Sequence, residues 1–167
     1  GPSDWNDMMS LRSDLAYIED GELVLLGKVN DNKESDPTPF VTGGIHSRGK
    51  KSFRLAKFEI RAKFNSAKGF WPALWLMPQG PMKGNDYAEI DLMAHLNHDD
   101  IAYQTLHSRY TLDGKEGPSK GATAPIDPNG WNTYGAEVYK DSICMYVNNI
   151  KTFTYPRMEG VQEQFPW

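Results

Sequence analysis

Apolar and polar residues alternate along much of this chain. The clearest case is Phe58-Glu59-Ile60-Arg61-Ala62-Lys63-Phe64, apolar at every even position. A period of two sends successive side chains to opposite faces, so the pattern predicts a half-buried β-strand over 52–64. Lys50, Lys51, Arg54, Lys57, Arg61 and Lys63 then read as a solvated basic face. Further strands are predicted over 71–77, 87–93, 101–110, 134–138, 142–147 and 150–155. Tyr17-Ile18-Glu19 and Glu22-Leu23-Val24-Leu25-Leu26 flank Asp20-Gly21, which predicts a hairpin. Asn148-Asn149 tolerates the positive φ of a second tight turn. Positions 112–130 are rich in Gly, Pro, Ser and Lys and predict a long surface loop bordering a cleft. No helix of convincing length and no repeat emerges. Many short strands separated by turns indicate an all-β sandwich or barrel.

One strand carries candidate chemistry. In Glu89-Ile90-Asp91-Leu92-Met93-Ala94 the two acids lie two residues apart and share a face, while Ile90 and Leu92 point into a core. The preceding run, Gly69-Phe70-Trp71-Pro72-Ala73-Leu74-Trp75-Leu76-Met77-Pro78, sets two indoles in phase. Aligned carboxylates beside flat aromatic rings suit cleavage of a sugar polymer: acids move protons or attack carbon, and indoles hold sugar faces. Trp71 is the favoured platform, with Trp75 divided between platform and core. His107 shares its strand face with Tyr103, Thr105 and Arg109, and Gln104 points the other way. Arg48, Arg109 and Tyr110 are candidates for a cleft rim. Trp131 reads as core packing.

Composition narrows the function classes. The chain has 167 residues and a formal charge of −4, with a pI near 5.5. An acidic chain of this size is one domain and does not suit a nucleic-acid partner. Cys144 is the single cysteine, so no intrachain disulfide forms, and its apolar strand predicts a buried, inert thiol. No apolar run approaches the ~20 residues of a membrane span. The His95-Leu96-Asn97-His98-Asp99-Asp100 segment lacks the spacing of a helical zinc site and reads as a cleft-edge loop. No metal and no cofactor are expected.

These motifs together resemble glycoside hydrolase family 16. The resemblance rests on the 69–78 run, on Ala88-Glu89-Ile90-Asp91-Leu92-Met93, on Phe58-Glu59-Ile60-Arg61-Ala62-Lys63, on Thr105-Leu106-His107 and on Trp131-Asn132-Thr133-Tyr134, all in the family's order. It implies a concanavalin-like β-jelly-roll sandwich and retaining endo-hydrolysis of β-linked glycans. The family's bulged signature is Glu-x-Asp-x-x-Glu. By resemblance Glu89 is the nucleophile and Asp91 its helper, and His107 borders the acid/base. The acid/base position itself holds Ala94. On an unbroken strand position 94 would face away from 89 and 91, so a one-residue bulge is required to bring it round. Alanine there cannot protonate a leaving oxygen, so the chain is expected to be inactive or strongly impaired. Ala94 reads as an engineered knock-out or, less favoured, as a natural glycan binder.

Gly43-Gly44 stands where many relatives carry an arginine, which suggests a somewhat different glycan. Thr42-Gly43-Gly44-Ile45-His46, His107-Ser108-Arg109-Tyr110-Thr111 and the 148–156 hairpin resemble gut Bacteroides-type members. Those include endo-β-galactosidases of mucin O-glycans and poly-N-acetyllactosamine; laminarin and mixed-linkage glucan are the alternatives. The expected protein is an exported, monomeric glycan-acting enzyme. Residues 1–167 are expected to be part of one catalytic jelly-roll domain, incomplete at both ends. A lectin-like binding module and a transglycosylase are the rivals.

Overall fold

The computed structural model describes residues 9–34, 37–80, 87–112 and 120–165. The chain divides into two compact units, Gly1–Lys51 and Ser52–Trp167.

In the first unit, β1 (Ala16–Glu19) and β2 (Glu22–Leu25) form the predicted hairpin. Asp20 at φ 50° and Gly21 at φ 81° turn it, the positive-φ pair that matches strand twist. Strands β3 (Gly27–Val29) and β4 (Phe40–Thr42) pair antiparallel, with Leu15 and Val41 fully buried. Arg12 and Lys28 each bridge both Asp14 and Asp31 at 2.7–3.0 Å, a closed ring of alternating charge at the surface. Gly43 accounts for itself sterically, because a Cβ there would collide with the Leu15 carbonyl. Its neighbour Gly44 packs as closely against the Met9 side chain. An arginine at Gly43 would strike the Leu15 backbone, whereas one at Gly44 would require the Met9 side chain to move.

The second unit contains two four-stranded antiparallel sheets. One has the order β12-β11-β10-β5, from β5 (Lys57–Ala62), β10 (Asn132–Val138), β11 (Ser142–Val147) and β12 (Ile150–Pro156). The other has the order β6-β7-β8-β9, from β6 (Ala73–Leu76), β7 (Ala88–Ala94), β8 (Ile101–Ser108) and β9 (Gly121–Pro125). Their inner faces meet in one apolar core. Ala88, Leu92, Ala102, Leu106 and Ala124 come from one sheet, and Tyr134, Ala136, Ile143, Met145, Val147 and Tyr155 from the other. This is sandwich packing, with inward residues at every second position of each strand. Asn148 and Asn149 take φ 49° and 64° in the turn predicted for them. No helix among the described residues is long and apolar enough to cross a membrane.

Several expectations need correction. The basic strand is shorter than its alternating pattern: Leu55 at φ 51° bends the chain, and pairing starts at Lys57. The expected loop over 112–130 contains β9, whose small residues concealed it. Gly121 sits there because a Cβ would press within 2.7 Å of the Gln104 carbonyl. Positions 113–119 lie outside the described residues. Trp131 is not core: it is 37% exposed, with the Arg61 guanidinium 4.3 Å above its ring. His95 is fully buried, its ring tilted against Phe64 with centroids 4.8 Å apart, and its Nε2 donates to the Asp99 carbonyl at 2.7 Å. Cys144 is buried, as predicted.

Truncating the core should be costly and truncating the rim should not. Leu106→Ala is expected to lose about 2–5 kcal/mol in urea unfolding. Ile150→Ala, 71% exposed, should stay within about 0.5 kcal/mol of the parent.

Candidate active site

Strand β7 lies between β6 and β8 in the sheet, and its outer face assembles the candidate chemistry. Opposite Glu89 on β8 is His107, and opposite Asp91 is Thr105. The next registered pair is Ala94 with Tyr103. From Asp91 to Ala94 the chain advances three residues, and from Thr105 to Tyr103 only two. Leu92 and Met93 together therefore oppose Gln104, a β-bulge. The extra residue reverses the alternation, so position 94 returns to the face of Glu89 and Asp91. The β6 side agrees: Trp75 pairs with Asp91 and Ala73 with Ala94, with its own register shift between Leu74 and Trp75. Leu92 and Met93 are both buried in the core.

Around the acids the polar contacts are specific. The Asp91 Oδ2 lies 3.3 Å from His107 Nε2. The Tyr87 hydroxyl donates to Glu89 Oε2 at 3.1 Å. Burial first, and then the charge of Asp91, push the Glu89 carboxyl above its ordinary range. The hydrogen bond to Asp91 raises His107, against the opposing effect of burial. Burial and the Glu89 charge push the Tyr87 hydroxyl up to about 12, so it remains a donor at neutral pH. Glu89, Asp91 and His107 bring one ligand atom each within 4.8 Å of one another. They are the group among the described residues with the donor set for a metal ion, although each already has a protein partner.

The aromatic candidates separate. Trp75 is on the site face opposite Asp91 and is 40% exposed, which removes the core alternative. Trp71 precedes β6 and is 57% exposed. Its segment is tied to the loop after β7, since His95 N–H donates to Pro72 O, Asn97 N–H to Phe70 O, and Gly69 N–H to Asn97 Oδ1. Arg109 does not continue the face of His107, because β8 ends at Ser108 and Arg109 starts a single helical turn, α1 (Arg109–Leu112). Ser108 and Thr111 hydrogen-bond each other through side chain and backbone, and so turn the chain out of the sheet. Arg48 belongs to the first unit, exposed, its N–H bonded to His46 Nδ1. Two contributors escaped the sequence reading. Tyr87 was legible as one more period-two step before Glu89. The bond from the Tyr103 hydroxyl to Asp99 Oδ2 at 2.7 Å beside position 94 carried no sequence signal.

Comparison with known proteins places this geometry. The profile described as Glycosyl hydrolases family 16 matches residues 11–167. The chain belongs to that family. It is 33% identical over 160 residues to a keratan-sulfate endo-1,4-beta-galactosidase of Sphingobacterium multivorum, covering 93% of this chain and 37% of that protein. It therefore spans little more than a third of that curated relative. Its fold matches the laminarinase of Rhodothermus marinus with a TM-score of 0.81 at 22% identity, covering 95% of this chain and 68% of that one. A structure reported under "Prominent members of the human gut microbiota express endo-acting O-glycanases to initiate mucin breakdown" matches with a TM-score of 0.67 at 26% identity, over 89% of this chain and 59% of that one. The all-β expectation thus resolves as the family's jelly-roll sandwich.

Two pH-dependent stability effects follow from the site. The raised Glu89 carboxyl favours folding when protonated, and that benefit is lost as pH rises through its folded value. Glu89→Gln should therefore be more stable than the parent at pH 7, and about 1 kcal/mol would appear as roughly 2–4 °C in Tm. The gap should close near pH 3. His107 follows the same direction with pH, because its partner favours the charged ring. That stabilisation is full below the ordinary value of 6.5 and disappears as pH rises through the raised one. His107→Gln should thus lower Tm most near pH 6 and least above pH 9, read by calorimetry across that range.

Proposed function

We propose that this chain carries the catalytic machinery of a retaining endo-β-glycosidase from which the proton donor is absent. Glu89 attacks the anomeric carbon and forms a glycosyl-enzyme. Asp91 holds Glu89 and tunes its ionisation through like-charge proximity, and is itself oriented by His107. Position 94 is where a carboxylic acid would protonate the leaving sugar and then activate water. Ala94 supplies neither step, and general acid catalysis is typically worth about 10²–10⁴ in rate. Trp75 and Trp71 offer sugar platforms in the cleft. One observation carries the reading: the bulge puts positions 89, 91 and 94 on one exposed face in a chain of this family.

For substrate we favour a galactose-containing glycan of the mucin O-glycan or poly-N-acetyllactosamine type. Support comes from the keratan-sulfate endo-1,4-beta-galactosidase likeness at 33% identity and the O-glycanase likeness. Laminarin or mixed-linkage glucan is the second reading, favoured by the likeness to a beta-glucanase of Rhodothermus marinus at 26% identity. The enzyme would work outside the cytoplasm, where such polymers are met, and as a monomer.

The test is Ala94→Glu, offered laminarin, mixed-linkage glucan, agarose and a mucin O-glycan preparation, with products read by mass spectrometry. Cleavage of one panel member, about 10²–10⁴ faster than by the parent chain, is the expected result. Binding without cleavage of any would replace the enzyme reading with a lectin-like one. Products longer than the substrate would indicate a transglycosylase.

A further inference from the structure

Behind the site face, Gln104 occupies an unusual place. It is 1% exposed, on the core side of β8, between Tyr103 and Thr105. It is also the single residue that faces the two bulged residues Leu92 and Met93. A bulge leaves backbone polar groups out of the ladder, and a buried unpaired carbonyl is costly. Here the Gln104 Nε2 donates to the Leu92 carbonyl at 2.8 Å. The same nitrogen donates to the Tyr146 carbonyl in the opposite sheet at 3.1 Å. Its Oε1 accepts from the Thr152 hydroxyl at 2.5 Å. Thr152 is itself the unpaired residue of a second bulge, since Met145 pairs with Phe153 and Tyr146 with Lys151. One amide thus ties two bulges together across the core, with both N–H groups and the carbonyl oxygen used.

We propose that Gln104 is a positioning residue: its buried amide fixes the bulge that presents position 94 to the cleft. An unbroken ladder would turn residue 94 inward. The competing register is removed because the bulged form finds in Gln104 a donor for the carbonyl that the ladder abandons. An apolar residue of equal volume fills the same space but leaves the Leu92 and Tyr146 carbonyls and the Thr152 hydroxyl without their partner. The inference rests on the reading of position 94 as the acid/base site for its consequence in catalysis, and on the geometry alone for its consequence in structure.

Two measurements test it. The first compares Gln104→Met and the milder Thr152→Val, each in the Ala94→Glu background, on the natural glycan and on a dinitrophenyl glycoside of the same sugar. The aryl leaving group departs without a proton, so its glycosylation step, read as kcat/KM, reports Glu89 and not residue 94. A displaced residue 94 should lose roughly 10²-fold in kcat/KM on the glycan with less than about threefold change in kcat/KM on the aryl substrate. Equal losses on both, or no loss on either, would overturn the proposal. The second is a crystal structure of Gln104→Met, or of Thr152→Val should the first not fold, in the chain as it stands with Ala94. Loss or migration of the Leu92–Met93 bulge supports the proposal whatever the activity of the Ala94→Glu form. Retention of the Asp91/Thr105 and Ala94/Tyr103 register overturns it. Failure of Ala94→Glu to cleave anything, with the bulge lost in the crystal, would reject the enzyme reading and leave the role of Gln104 intact.

Discussion

A strand has two faces and a strict period, and the proposed site needs three positions on one face at an interval that the period forbids. Residues 89, 91 and 93 would share a face on a regular strand, yet Met93 is buried in the core and Ala94 stands on the outside. One inserted residue resolves the conflict. The insertion lets β7 bury Ala88, Leu92 and Met93 and still set Glu89, Asp91 and position 94 on its other face. Neighbouring strands absorb the change: β6 shifts its register at the same level, and β8 meets two residues with one. The rigid, doubly paired strand is what holds two like charges side by side against their repulsion.

That repulsion is divided unequally. Asp91 is nearly buried and lies against His107, whereas Glu89 accepts from the neutral Tyr87 hydroxyl and gains a smaller relief from the His107 charge. Burial and the neighbouring Asp91 charge push the Glu89 carboxyl up. On the proposed reading this is the functional asymmetry, since the group poised to attack carbon is the one whose charge the protein stabilises least. The stability lost by keeping Glu89 half-buried and ionised is the stability that formation of a neutral glycosyl ester would return.

Much of this was legible in the sequence because period two is a physical signal. The shared face of Glu89 and Asp91, the Asp20-Gly21 and Asn148-Asn149 turns, and the requirement for a bulge before position 94 all follow from where side chains can point. Family resemblance supplied what spacing could not, namely which acid does what. The misses have local causes. Leu55 in a left-handed conformation bends the chain ahead of β5, where the apolar positions change phase between Leu55 and Phe58. Strand β9 hides in Gly-Ala-Thr-Ala-Pro because it is chosen for close approach to β8 rather than for apolar bulk. Arg109 kept its phase on paper but left the sheet through the Ser108–Thr111 turn, a side-chain-to-backbone motif that competes with the ladder. Trp131 was read as core from its residue type, whereas a stacked arginine made an exposed place tolerable.

The framework around position 94 does not depend on the side chain that occupies it. Ala73 and Tyr103 flank it through backbone pairing, Tyr103 is anchored on Asp99, and the next residue, His95, donates its N–H to the Pro72 carbonyl and packs its ring against Phe64. None of these contacts uses anything beyond the Cβ of residue 94. The geometry of a site built this way is set in advance by backbone, bulge and buried amide, and the residue at its tip contributes chemistry rather than structure. Glu89, Asp91 and His107 keep one ligand atom each within 4.8 Å of one another with an alanine at 94, and on the proposed reading the face is a catalytic centre without its proton donor.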